Sequence, residues 1–290
     1  MPRPDPHVTI GVPAYNASAH LSVCLDSLLA QVYGDFVLQI ADNASTDETE
    51  EICRKYVAMD PRVRYHRHPR NIGMYPNMNF LLRTASTPYV KLANADDYWA
   101  PGMLTDALRV MESNPDVVLA YPMMTLVDES GAPFQAYGHR LHLVEPDPTI
   151  RFKRALSEIG LVSQLMGVMR ASTVRRMRPM RSLPGEDILF VCELSLYGKL
   201  FQTSEHQYFR RFHPQSSSFK RTSMEHQVRH VLEEGATAVR YLTWRQHVGF
   251  MSRIIGSPLS IPGKVELLGH IGRRMVWNRV ALGHELLHRG

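Results

Sequence analysis

At 290 residues, with 44% hydrophobic and 21% charged side chains, the chain has an ordinary globular composition and length enough for one large domain or two small ones. No stretch approaches the roughly 18 unbroken apolar residues of a membrane-spanning helix, and the opening Met-Pro-Arg-Pro-Asp-Pro lacks an apolar signal region, which speaks against secretion. The net charge of +5 is uneven: from Lys220 onward eleven Lys and Arg face five Glu, whereas residues 1–219 carry twenty-two basic and twenty-three acidic side chains, which argues against a nucleic-acid groove through the main body.

In chain order, His7–Val12 is a β-rich run that stops at Pro13. Leu21, Cys24, Leu25, Leu28, Leu29 and Val32 recur at spacings of three and four and predict a helix, with Ser18 as its cap. Strands are expected at Phe36–Ala41, Val63–His66, Tyr89–Ala93 and Val117–Tyr121, and helices at Asp47–Met59, Asn77–Ala85 and Pro101–Glu112. Strands alternating with helices in this way predict an α/β fold with a mixed, mostly parallel sheet flanked by helices. The second half is less regular. Gln135–Pro148 reads as a long loop, Gln164–Met169 and Gln207–His213 as strands, and 187–198 as a helix between them. Glu225 to about Met251, and then Pro262–Arg289, read as a helical C-terminal tail. The composition shift near Lys220 divides the chain into a catalytic domain, 1–219, and a basic helical region, 220–290. The catalytic domain has a donor half to about 134 and an acceptor half from 135. Cys24, Cys53 and Cys192 have no metal-ligand spacing and sit in apolar contexts, as reduced thiols of a cytosolic protein do.

In an open parallel sheet, ligands sit beyond the carboxyl ends of the strands. Four successive strands here end in polar segments: Pro13-Ala14-Tyr15-Asn16, Asp42-Asn43-Ala44-Ser45-Thr46-Asp47, Arg70-Asn71-Ile72-Gly73, and Asn94-Ala95-Asp96-Asp97-Tyr98. Each alone is accounted for by a turn, a helix cap or a positive-φ glycine. Their convergence on one sheet edge is more informative than any one of them.

The order and wording of these segments resemble the family-2 glycosyltransferases, whose fold is called GT-A. The resemblance is close from Val8 to about Phe134 and looser to Ser218. Val8 to Asn16 matches the family's V-x-I-x-x-Y-N type of segment, and Asp42 to Asp47 its D-[DN]-[GA]-S-x-D. Asn71, Gly73, Asn77 and Asn79 match its N-x-G with paired Asn, and Asn94 to Asp97 its D-x-D-D metal motif. The resemblance implies an enzyme that transfers a sugar, with inversion, from a nucleotide-diphosphate donor to a hydroxyl acceptor. Pro13, Tyr15 and Asp42 would form the base pocket, favouring UDP or dTDP with GDP also possible. Asn16, Asn71 and Gly73 would lie near base and ribose, and Asn94 and Ala95 beside the donor. Asp96 and Asp97 would hold Mn²⁺ or Mg²⁺ on the diphosphate, which a hard cation does with few protein carboxylates. His213, within Tyr208-Phe209-Arg210-Arg211-Phe212-His213-Pro214-Gln215-Ser216, would complete the metal site, and Arg210 or Arg211 would reach the diphosphate, the other being solvated. The pair Glu186-Asp187 would supply the base that takes the acceptor proton, Asp187 first and Glu186 as its neighbour or substitute; helix capping is the competing reading of that pair. One position departs from the family: Asn94 stands where the first motif Asp is usual. It suggests an alternative, a catalytically weakened nucleotide-sugar-binding or regulatory protein. Gln135–Pro148 falls where acceptor loops lie. The basic tail suits packing on the catalytic domain, self-association as a homodimer, or peripheral contact with a membrane's inner face.

Overall fold

The computed structural model of the protein describes residues 6–213 and 240–287. Its first strand, β1 (Val8–Ala14), is buried along almost its whole length, as an apolar strand covered on both faces must be. It pairs in parallel with β2 (Phe36–Asp42) and β4 (Tyr89–Leu92), and β2 pairs in parallel with β3 (Val63–Arg67). The crossovers are α1 (Leu21–Leu29), α2 (Thr49–Met59) and α3 (Met74–Thr84). Leu21, Cys24, Leu25 and Leu28 form the buried stripe of α1, the face its spacing predicts. Gly11 lets α3 lie close on β1, since a Cβ there would stand 2.9 Å from that of Leu81.

The chain continues through β5 (Tyr98–Trp99), α4 (Met103–Ser113), β6 (Val117–Val127), β7 (Pro133–Tyr137), α5 (Pro148–Glu158), a 3₁₀ turn over 163–166, β8 (Val168–Arg170) and the short α6 (Ala171–Val174). Then come α7 (Glu186–Tyr197), β9 (Lys199–Arg211), α8 (Leu242–Gly256), α9 (Ile261–Trp277) and α10 (Arg279–Leu287). The sheet runs β3-β2-β1-β4-β8-β6-β9-β5, with β7 on the edge of β6. The parallel ladders carry most of the pairing; antiparallel β8, between β4 and β6, joins the two parallel parts. The mixed α/β class expected from the sequence is therefore the class observed.

Several boundaries differ for identifiable reasons. The strand expected to end at Tyr121 runs on to Val127, and its register against β9 shifts between Tyr121 and Met123, where Pro122 has no N–H to give the ladder. The strand expected over 207–213 begins at Lys199. Gln164–Met169 is a 3₁₀ turn followed by a three-residue strand. Gln135–Pro148 contains the end of a hairpin, and its Leu141 and Leu143 are fully buried, so this stretch is pinned down rather than loose. α5, absent from the sequence reading, opens on Pro148 with the Asp147 carboxylate accepting from Thr149 N at 2.7 Å. The expected single C-terminal helix breaks at Asn278 into α9 and α10. Of the helix expected over 225–251, residues 225–239 lie outside the described residues; within them α8 runs from Leu242 to Gly256.

One hydrophobic core extends from Val8 to Ile271, and Phe250, Ile254, Leu267 and Ile271 of the tail belong to it. The packing therefore crosses the compositional break near Lys220. All three cysteines are buried free thiols, and burial pushes Cys53 up to about 12, far from a reactive thiolate. Among the described residues no helix is long and apolar enough to cross a membrane.

Candidate functional site

The carboxyl ends of β1, β2 and β4 and the loop before α3 do meet at one edge. Tyr15 is exposed there, and Asn16, held at a positive φ of 47°, links the first two loops: its amide donates to Ser45 Oγ at 2.9 Å, and its Oδ1 accepts from Thr46 N at 2.8 Å. Asn43 and Asn71 tie the next pair, with Nδ2 of Asn43 donating to Oδ1 of Asn71 at 2.6 Å and Ile72 N donating back to Asn43. Gly73, at φ 89°, starts α3 in a conformation that a side chain would strain. Asp42 lies beneath this rim with no exposed surface. Its Oδ1 accepts from Ser45 N and Oγ, and its Oδ2 from the Tyr65 hydroxyl at 2.7 Å. That corrects the expectation of a carboxylate open to a base: the donors it meets come from the protein, and it holds Ser45 and Tyr65 in place.

The acidic segment divides into two roles. Asp96 keeps about a third of its side chain exposed, and His213 Nε2 approaches its Oδ2 at 3.1 Å. Burial works to raise the Asp96 carboxyl, but the His213 hydrogen bond and charge win and hold it below the ordinary range. Asp97 is only 1% exposed. Its Oδ1 accepts from Arg211 N at 2.8 Å, and its Oδ2 from the Tyr208 hydroxyl at 2.5 Å and Asn94 Nδ2 at 3.0 Å. Burial and neighbouring Asp96 push Asp97 up to about 7. Asp97, expected beside Asp96 on the metal, here accepts from three protein donors and so serves as an internal support of the acidic turn. The same contact explains Asn94: a carboxylate there would face Asp97 with like charge, whereas the amide donates. Ala95, between them, is buried.

Sequence reasoning missed His20, whose ring lies 5.3 Å from that of His213 at the mouth of this site. It also missed Tyr208 and Arg211 as supports. Arg211, 3% exposed, donates to the carbonyls of Asp96 and Glu129, and so belongs to the frame. A signal existed for Tyr208 and Arg211, both within the quoted motif segment, and none for His20. Asp96 and His213 are the two side chains placed to take an ion; no group of three His, Cys, Asp or Glu that could hold a metal occurs among the described residues. Two protein ligands of this kind fit a hard cation that draws its other ligands from phosphate and water.

The pair at the start of α7 also divides. Glu186 is 1% exposed and bonded to Arg181 Nε and Arg253 Nη2, both at 2.6 Å. Glu186, expected as neighbour or substitute of the base, is thus engaged in buried ion pairs. Asp187 is half-buried, with Oδ1 accepting from Ile188 N at 2.9 Å and the Tyr75 hydroxyl beside its amide. Burial raises its carboxyl above the ordinary range, while Ile188 N–H, Tyr75 and Arg210 oppose the rise. Arg210 donates to Leu161 O, and its positive charge acts on Asp96, Asp97 and Asp187 alike. That charge is felt in two acidic regions that the sequence separates by about ninety residues.

Comparison with known proteins bears on the family and the fold. The family model described as Glycosyl transferase family 2 matches residues 9–173. A glycosyltransferase of Streptococcus pneumoniae, GlyA, is 34% identical over 94 residues, 32% of this chain and 13% of that protein. The matched part spans less than half the length of the curated relatives. In structure the chain resembles TarS residues 1–349 of S. aureus in complex with UDP-GlcNAc, with a TM-score of 0.68 at 18% identity, covering 92% of this chain and 72% of that one. It also resembles the mannosyltransferase PcManGT of Pyrobaculum calidifontis in complex with GDP-Man and Mn²⁺, with a TM-score of 0.57 at 15% identity, covering 99% and 74%. At such identities the likeness is one of fold.

Proposed function

Because the chain belongs to glycosyl transferase family 2, we propose that it moves a sugar, with inversion, from a nucleotide-diphosphate donor to a hydroxyl acceptor. Biosynthesis of a glycan, glycolipid or natural product is the setting. The observation that carries this reading is the convergence of exposed Tyr15, the Asn16 and Asn71 turns and the Asp96–His213 pair, 3.1 Å apart, at the carboxyl ends of the parallel strands. Tyr15, Asn16 and Asn71 form the rim for base and ribose, with Pro13 and Gly73 shaping it and Asp42 beneath. UDP or dTDP is the favoured donor nucleotide, GDP the next.

Asp96 and His213 would hold Mn²⁺ or Mg²⁺, which when bound offsets the charge gathering on the departing diphosphate. Arg210 adds a fixed positive charge to the same end. Asp187 takes the acceptor hydroxyl's proton, and its raised carboxyl makes it a stronger base than an ordinary aspartate. Inversion is supported by the state of its neighbour. A double displacement needs a carboxylate nucleophile, and Glu186 is locked by Arg181 and Arg253.

The acceptor is a saccharide, a lipid-linked sugar or a small molecule, met on the side of residues 135–148. Exposed Val265, Val276 and Trp277 on α9 support contact with an anionic membrane surface or with a second copy, which vesicle cosedimentation and sizing chromatography separate. Incubation with a panel of nucleotide-sugars and Mn²⁺, scored by release of nucleoside diphosphate, tests the enzymatic reading. Nucleotide binding without turnover of any donor would establish the weakened binding protein instead.

A further inference from the structure

Arg253, on α8, is 2% exposed and lies sixty or more residues in sequence from each carboxylate it meets. Its Nη2 donates to Glu186 Oε2 at 2.6 Å and its Nη1 to Glu193 Oε2, so one guanidinium spans the first and third turns of α7. The same two nitrogens donate to the carbonyls of Arg178 and Pro179, at 3.2 and 3.3 Å. The remaining carboxylate oxygens are also taken: Arg181 Nε donates to Glu186 Oε1, and Arg178 N to Glu193 Oε1. Other contacts grip the same stretch. Gln246 donates to Pro184 O at 2.9 Å, and Gly249 lies so close that a Cβ would meet Arg181 and Leu189. From the opposite side, Asn79 of α3 exchanges two hydrogen bonds with the backbone of Met180.

A neutral set of buried ion pairs is a poor device for stability, since apolar side chains of similar volume do as well or better; its better-attested use is to fix one arrangement. The arrangement fixed here is the start of α7. That helix follows Gly185, which takes a left-handed φ of 84°, and its first two residues are Glu186 and Asp187. Holding Glu186 sets the direction in which Asp187 leaves the helix.

We propose that Arg253 is a positioning residue for the reaction: the C-terminal helix α8, through its Arg253–Glu186–Glu193 clamp, sets the aim of Asp187. This rests on the reading of Asp187 as base. The clamp touches neither the donor rim nor Asp96 and His213, so it should act on turnover and not on nucleotide binding.

The test compares Arg253→Lys, which keeps the charge but cannot span both carboxylates, with the triple variant Arg253→Met, Glu186→Gln, Glu193→Gln, which leaves no unpaired buried charge and guards against misfolding. Each is measured for thermal midpoint, UDP affinity with Mn²⁺, and kcat and KM with the donor found active in the panel. The expected result is kcat lowered on the order of 10-fold in Arg253→Lys and 100-fold in the triple variant, the scale of loss for a reacting group displaced by about 1 Å. UDP affinity and donor KM stay within about twofold. A folded triple variant with the parental kcat overturns the inference, as does a loss of UDP affinity equal to the loss of kcat. Asp187→Asn, run alongside, separates the two failures. If it is fully active, the base assignment and the inference fall together; if it is inactive while the clamp variants turn over normally, only the inference falls.

Discussion

Asp187 sits between opposed influences: burial raises its carboxyl, and the Ile188 N–H, the Tyr75 hydroxyl and the Arg210 charge pull it back without cancelling the rise. A base works only when deprotonated, so activity should fall as the pH drops through a midpoint above the ordinary 3.8. A pH profile of kcat/KM checks the position of that limb. Asp187→Asn should lower the rate on the order of 10²-fold or more with nucleotide affinity intact. Asn94 carries a second prediction. Asn94→Asp, which restores the usual family residue, removes a donor from buried Asp97 and sets a like charge 3.0 Å away. Stability in alkaline solution, above the value of about 7 at which Asp97 ionises, should fall by about 1.5–3 kcal/mol, the cost of a lost hydrogen bond to a charged group. The deficit should shrink in acid, where one carboxylate of the pair is protonated and can donate; denaturant titration at the two pH values measures this. Legibility at this scale followed side-chain chemistry. Asp96, Asp187, His213 and Arg210 could be singled out because motif wording marks them, and the fold brings Asp96 and His213 together. The division of each acidic pair was not, because burial decides it, and Asp97 and Glu186 are told from Asp96 and Asp187 only by what packs around them.

Among the elements, β1 to β4 and their helices were legible because apolar runs and polar ends alternate there. β8 was read only in part: the strand expected over Gln164–Met169 covers two of its three residues but begins too early, because a three-residue strand after a 3₁₀ turn has no period to detect. β9 was caught only at its distal half, and that half matters most. Tyr98 stacks on Phe209 with ring centroids 4.6 Å apart, and Tyr208 reaches from β9 into the Asp97 carboxylate. The strand thereby fastens the acidic turn to the far side of the sheet and delivers Arg210 and His213 beside it. Tyr208→Phe removes that hydroxyl while keeping the ring on Trp99. Its expected cost is about 1.5–3 kcal/mol of stability, read by denaturant unfolding. A looser Asp96–His213 pair should follow, seen as weaker Mn²⁺ dependence of nucleotide binding. A Tyr208→Phe protein as stable as the parent would mean that Arg211 N and Asn94 suffice to hold Asp97.

At the scale of the whole molecule, the charge step near Lys220 suggested a separable tail, yet Phe250, Ile254, Leu267 and Ile271 join the common core. Composition records surface charge, whereas packing follows the apolar stripe, and the two need not change at the same residue. Tail and sheet therefore share one core, and a ligand that binds at the rim should stabilise the fold as a whole. A nucleoside diphosphate at a hundred times its Kd adds about 2.7 kcal/mol to the folded state. That corresponds to a rise of roughly 5–11 °C at 2–4 °C per kcal/mol, the sensitivity of chains of 150–250 residues. The rise should require Mn²⁺ or Mg²⁺ and should vanish in Asp96→Ala, which deletes the more exposed member of the ion-binding pair. Base preference should appear as an order among UDP, dTDP and GDP at equal concentration. An undiminished, metal-dependent rise in Asp96→Ala would remove that residue from the ion site and leave His213 to be tested in its place. If chelator leaves the parent's rise unchanged, the donor is bound by Arg210 and the rim without a metal.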